Sequence, residues 1–329
     1  MEKRSLRRKY ICIVTPILLI SVMFYGLTYG PVSISLSEIW HVFFQNGESV
    51  HQTIIIDVRL PRIVIGALVG GCLAASGALL QGIMKNPLAD PGIIGVSSGA
   101  GLAAIITMVL LPQYGYLLPI AAFLGALITS LVIYLLAWDK STSPVKIILA
   151  GVAINALLGA VMNGIMVVYS DRVQSVLPWL AGGLTGKGWY HLNFMAPYAI
   201  ISLMLSFFAI RPANLLLLGD DTAKLLGQKV EVQRFLLIIL ASLLAGVAVS
   251  VAGLIGFVGL VVPHIIRILV GDDYTFVLPI SIVGGAALVV FADTIARSWF
   301  DPIELPVGIL LACLGAPFFL ILLRKRRIL

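Results

Sequence analysis

From Tyr10 to Tyr29 the chain carries no charged residue, and apolar runs of the same kind return nine more times. They lie near 10–29, 61–83, 92–111, 115–137, 146–169, 192–210, 234–254, 256–270, 276–296 and 306–323. An α-helix rises ~1.5 Å per residue, so ~20 apolar residues cross the ~30 Å hydrocarbon core of a bilayer. Inside that core every backbone polar group needs a partner within the protein, which leaves only helices and closed barrels. Barrel strands would alternate apolar and polar positions, and these runs are continuous. The expected fold is therefore an all-α integral membrane protein with about ten transmembrane helices, a single polytopic domain over 1–329. The run at 256–270 is short for a full crossing and is expected to tilt or to be half-buried. Composition closes the soluble alternative: 11% of residues are charged, against ~25% in ordinary soluble domains.

Lys3, Arg4, Arg7, Arg8 and Lys9 precede the first run, as in a secretory signal. The run is long for one, and no small-residue cleavage site closes it, so it is expected to remain as the first span. Cytoplasmic loops of membrane proteins collect Lys and Arg. With the N-terminus inside, the inner segments take most of the 22 basic residues, including Arg324, Lys325, Arg326 and Arg327. The outside keeps Arg59, Arg62, Arg172, Lys187 and Arg297. Both termini are thus expected in the cytoplasm, and the formal charge of +7 is mostly a property of that face. The basic residues are dispersed over loops and form no stripe, which argues against a nucleic-acid partner. Cys12, Cys72 and Cys313 sit far apart in apolar runs, with neither disulfide nor metal-ligand spacing. They read as small buried hydrophobes.

The spans that open at Arg62 and Arg234 behave alike. Each is rich in small residues, breaks at glycines and reaches a proline at the same separation, Pro91 and Pro263. The second opens five spans after the first, an odd step, so the copies, about 61–169 and 234–323, would face opposite ways. Inverted repeats with Gly/Pro-interrupted helices mark transporters. The dense small residues, such as Gly70, Gly77, Gly253 and Gly259, otherwise serve close helix packing.

Three stretches carry a resemblance. RLPR at 59–62 followed by GALLQGIMKNPLADPGIIGVSSGA at 77–100, GFVGLVVPHIIRILVGDDY at 256–274, and ADTIAR at 292–297 with ELPVGILLACLGAPFFLILL at 304–323 resemble the permeases of iron-siderophore, heme and vitamin B12 ABC importers. The similarity covers essentially the whole chain. It implies ten spans per subunit, a second permease chain (identical or a sister), two cytoplasmic ATPases and a substrate-binding protein outside. It implies no resident cofactor.

The resemblance also assigns residues. Arg59, Arg62 and Arg297 match the outer arginines that meet glutamates of the binding protein, a role suited to the bidentate guanidinium. Arg62 and Arg297 could equally anchor helices at headgroups, and Arg297 could pair with Asp293 one turn earlier. Asn86 and Leu88 of the Asn-Pro-Leu loop match a cytoplasmic gate, although Asn-Pro also turns a chain between helices. Thr142 and Ser143, beside Ser141, are a second gate candidate or an N-cap. The segment 214–234 resembles the loop that couples to the ATPase, here Asp220, Asp221, Ala223, Lys224, Leu226 and Gly227, with two short helices joined near Gly227.

Other classes fit less well. LTGKGW at 184–189 resembles a P-loop only superficially, since Ala181 stands at the first glycine and Gly188 at the Ser/Thr. ATP hydrolysis is thus expected of a separate subunit, and the chain is not expected to be an enzyme. An ion-coupled carrier would bury ionisable groups at midplane, and the spans hold almost none. His264 and Arg267 lie one turn apart, but a lone His in an apolar helix reads as packing and not as a metal ligand. The expected activity is ATP-driven import across a bacterial cell membrane of a ferric siderophore, with heme and cobalamin as alternatives.

Overall fold

The computed structural model describes residues 2–44, 50–138, 144–300 and 303–324, and every regular element among them is helical. The ten expected spans appear as α1 (Glu2–Thr28), α2 (Leu60–Ile83), α3 (Val96–Ile105), α4 (Leu118–Ala137) and α5 (Pro144–Val168), then α6 (Trp189–Phe208), α7 (Val230–Ala252), α8 (Val258–Val270), α9 (Tyr274–Ser298) and α10 (Val307–Arg324). Seven of the helices have the length and hydropathy to cross a membrane by themselves. Of the other three, α3 is prolonged to Leu110 by a π-turn.

α2 is the axis of the bundle. From Val69 to Met84 every residue is buried, and a helix apolar on all sides belongs inside a protein. Glycines let its neighbours approach backbone to backbone. A Cβ on Gly70 would lie 2.1 Å from the carbonyl oxygen of Gly285 in α9, and one on Gly77 would lie 1.9 Å from that of Gly259 in α8. With lipid as solvent there is little hydrophobic drive between helices, so such close contact is what holds them. α5 lies at the other extreme, presenting Leu149, Leu157 and Val167 outward.

The short run at 256–270 is the half-length helix α8. α7 ends at Gly253 in a positive-φ conformation, and Phe257 turns the chain into α8 from the left-handed region at φ 67°. A non-glycine residue there is strained, and the Phe257 ring is braced on Gly315 of α10. The backbone freed at this break is bonded by its neighbours: Gly183 donates to the Ala252 carbonyl at 2.8 Å, and Gly308 to that of Gly182 at 3.0 Å. Irregular backbone at membrane depth survives on such terms.

Side-chain contacts define two ends of the bundle. Arg8 sits at one with the end of α8 and the start of α9. Arg62 lies at the other with the end of α9.

Candidate functional site

At the Arg62 end, a π-turn over Thr53–Arg59 runs without interruption into α2. Arg59 reaches the end of α1, where Nη1 donates to the carbonyls of Leu27 and Thr28 and Nη2 to that of Val32. Arg297 donates to the Gly26 carbonyl beside them. The last carbonyls of a helix lack intrahelical partners and carry its negative dipole end, so cations settle there. Arg62 does something different. Its Nε and Nη2 fork onto the two Asp293 oxygens at 2.8 and 3.0 Å, and Nη1 takes Glu304 Oε2 at 2.9 Å. Glu304 also accepts from Thr185 at 3.0 Å. Burial raises the Glu304 carboxyl, but the charge of Arg62 outweighs it and leaves the group below its ordinary range.

The three arginines expected on the outer face are thus brought together but lie inside the chain, at 2%, 6% and 4% exposure for Arg59, Arg62 and Arg297. Asp293 belongs to Arg62 and not to Arg297, its neighbour one turn on. Nothing local in the sequence signals that pairing, because the partners stand 231 positions apart.

At the Arg8 end, α2 gives way to the Asn-Pro-Leu loop through Lys85, held at φ 47°. Asn86 Oδ1 accepts from the Leu88 backbone at 3.0 Å, so this side chain does shape the turn. Lys85, Asn86 and Pro87 border a cavity of about 460 Å³ with Gln81, His264 and Arg267. Arg267 donates to Tyr274 Oη at 2.7 Å, and Tyr274 donates to the Ala78 carbonyl at 2.6 Å, tying α8 and α9 to α2. Thr142 and Ser143 lie outside the described residues.

The 214–234 segment does hold two short helices, Ile210–Leu217 and Asp220–Leu225. They are joined at Gly219, at φ 100°, and not near Gly227. Gly227 ends the second helix instead, at φ 80°, where its N–H bonds the Lys224 carbonyl at 2.9 Å and that of Gln228 bonds Ala223 at 3.0 Å. Both glycines supply positive φ, so the sequence offered two equivalent break points. Ala223 is buried, whereas Asp221, Lys224, Leu226 and Gly227 are exposed, and Leu225 is 88% exposed.

Asp220 joins the two features. One carboxylate oxygen takes Lys85 Nζ at 2.9 Å, and the other takes Arg234 Nη2 at 2.8 Å. Partial burial raises this carboxyl, but the bonds from Arg234 and Lys85 prevail and hold it below the usual carboxylate range. Asn214 completes the joint, giving 3.1 Å to Asp273 Oδ1 and accepting from the Tyr274 backbone at 2.9 Å. Lys85, Arg234 and Asn214 are the residues that sequence reasoning missed at this end. The partners of Lys85 and Asn214 are far away in the chain, and only Arg234 carried any signal, as the opening residue of the second repeat.

The FecCD transport family matches residues 17–325. The chain belongs to that family. FecCD relatives with curated names span the whole chain. The Fe(3+)-citrate import system permease protein YfmD of Bacillus subtilis is 40% identical over 99% of this chain and 98% of its own. The cobalamin import system permease protein BtuC of Halobacterium salinarum is 43% identical over 84% and 75%, and the hemin transport system permease protein HmuU of Yersinia pestis is 38% identical over 94% of each. Among solved structures, an inward-facing metal-chelate type ABC transporter superposes with a TM-score of 0.86 at 32% identity, over 96% of this chain and 99% of that one. This FecCD chain is accordingly a multi-pass membrane permease of the ABC transporter type.

Proposed function

We propose that the chain forms the translocation path for a ferric siderophore. Cargo is handed over by a substrate-binding protein at the Arg62 end, and transport is driven by separate ATPase subunits at the Arg8 end. A second permease chain, identical or a sister, completes the path, and both termini face the cytoplasm of a bacterial cell. End-to-end similarity to permeases named for ferric citrate and hemin supports an iron chelate. The cobalamin relative at 43% identity supports a second reading, cobalamin. Uptake of radioiron as a ferric siderophore, with and without the gene under iron limitation, tests the first. Unchanged iron uptake together with lost uptake of radiolabelled cobalamin would transfer the assignment to the second.

For docking, the two described carboxylates that bond a guanidinium at the Arg62 end, Asp293 and Glu304, both bond Arg62. Among the described residues Arg59 and Arg297 bond backbone carbonyls and not a carboxylate, a cationic arrangement suited to an acidic partner. Arg59→Gln keeps hydrogen-bonding capacity and removes that charge. It is expected to weaken binding of the substrate-binding protein to the purified importer; an unaltered Kd would remove Arg59 from the docking surface.

For coupling, the exposed Leu225 and Leu226 beside Asp221 and Lys224 are suited to a partner protein, since exposed apolar groups rimmed by charge mark interfaces. The Asn86 loop acts as the gate, with Thr142 and Ser143 as its second element. Movement imposed on the Asp220 helix reaches that loop through Lys85. Asp220→Ala is expected to cut uptake roughly tenfold, the equivalent of ~1.4 kcal/mol, while the ATPase subunits keep hydrolysing. The check is ATP consumed per chelate transported in proteoliposomes, and a wild-type ratio would count against the bridge.

A further inference from the structure

We propose that the slot between α1 and the α8–α9 pair is a binding site for one anionic phospholipid, with an acyl chain in the slot and the phosphate on Arg7. The helix α1 is fastened to the bundle at both ends and stands off between them. At one end Arg7 and Arg8 donate to the carbonyls of Ile268 and Val270, at 3.4 and 2.9 Å, capping the end of α8. At the other, Gly26 lies against Ile63 and Thr294, and its carbonyl takes Arg297. Pro16 interrupts the hydrogen bonding of α1 midway, the place where a helix bends.

What remains between the fastenings is a groove of about 550 Å³, walled by Ile11, Val14 and Leu18 on one side and Val261, Ile265 and Leu269 on the other. Its floor is kept low by Gly284 and Ala287. Along α1 it runs from Tyr10 to Val22, ~18 Å at ~1.5 Å per residue. That is close to the ~15 Å depth of one leaflet, half of the ~30 Å core. The fit is to a single acyl chain lying parallel to the helix.

The headgroup end is what separates this slot from ordinary lipid contact. Side chains three and four apart on a helix share a face, and the groove stripe 11, 14, 18, 22 extends one turn outward to Arg7. Arg7 and Lys9 are exposed, and neither has a carboxylate partner among the described residues. Arg8, half-buried, is the one drawn to Asp273, at 4.0 Å. Asp272, the other acidic group nearby, faces Arg267 at 3.5 Å. Arg7, held only by the long bond to the Ile268 carbonyl among the described residues, therefore stands exposed at the mouth of an apolar slot, beside the interfacial Tyr10. Basic side chains at that level attract anionic headgroups.

The test uses the full importer complex in nanodiscs of phosphatidylglycerol and phosphatidylcholine in equal parts. A trace of either lipid carries a photoactivatable group in its acyl chain. Cross-links are expected on residues 10–22 of α1 and 261–269 of α8, several-fold more from phosphatidylglycerol than from phosphatidylcholine. Arg7→Gln, a surface change, should bring the two lipids near parity without moving the cross-linked positions. Ala287→Trp should abolish cross-linking in the slot, and retained ATP-driven uptake would certify that variant as folded. Equal yields from both lipids in the wild type would overturn the proposal. So would cross-links spread evenly over the lipid-facing residues of α4 to α6.

Discussion

Asp293→Ala is expected to destabilise the protein by ~3 kcal/mol or more, the usual consequence of leaving one partner of a buried ion pair without the other. Arg62 and Asp293 expose only 7% and 5% of their side chains, so water cannot replace the lost carboxylate. Glu304 still touches Arg62 at 2.9 Å and keeps the loss from being larger. Its own side chain is 32% exposed, and one hydrogen bond cannot replace a two-pronged fork. The instructive comparison is Arg62→Met with Asp293→Leu. Removing both charges leaves no buried ion unpaired, and Glu304 can hydrate, so the double variant should be more stable than Asp293→Ala alone. Thermal unfolding of the purified importer, followed by size-exclusion, reads both. If Asp293→Ala melts with the wild type, the network does not hold the Arg62 end together. This result also bears on docking, because reversing the charge of Arg62 would unfold this end before it could report on a partner.

The sequence revealed all ten apolar helices because the bilayer imposes one rule on every residue between its faces, an unbroken apolar run. It also revealed that the 256–270 segment is unusual, since Gly253 and Gly256 precede a run too short to cross. The joint in the 214–234 segment was misplaced because Gly219 and Gly227 have the same local freedom, and only tertiary packing decides which one links two helices. The arginines illustrate a different limit. Their positions at helix ends were legible, but whether a guanidinium faces a partner protein or its own chain depends on Asp293, Glu304 and the α1 carbonyls, all distant in sequence. Lys85 was invisible for the same reason, since its partner Asp220 is 135 positions away.

Gly77→Ala should be nearly as damaging as Asp293→Ala, for a reason that involves no charge. The added methyl would fall 1.9 Å from the Gly259 carbonyl oxygen and 2.5 Å from its Cα, and neither atom belongs to a side chain that can rotate away. Gly259 is pinned in turn. Its carbonyl accepts from Gln81 at 3.3 Å, and a Cβ of its own would meet the Leu73 carbonyl at 2.8 Å. Relief therefore requires α8 to move bodily off α2, at a cost above the ~1–3 kcal/mol typical of overpacked cores. Such a shift would also pull on the broken segment before α8 and on the cavity edged by His264 and Arg267. Gly164→Ala, in α5, is the matched control: a Cβ there meets nothing within 4 Å. Replacing glycine in a helix interior by alanine otherwise gains ~1 kcal/mol, so this variant should melt at or above the wild type. If Gly77→Ala and Gly164→Ala gave equal melting temperatures and equal uptake, backbone contact between α2 and α8 would not be what holds this permease together.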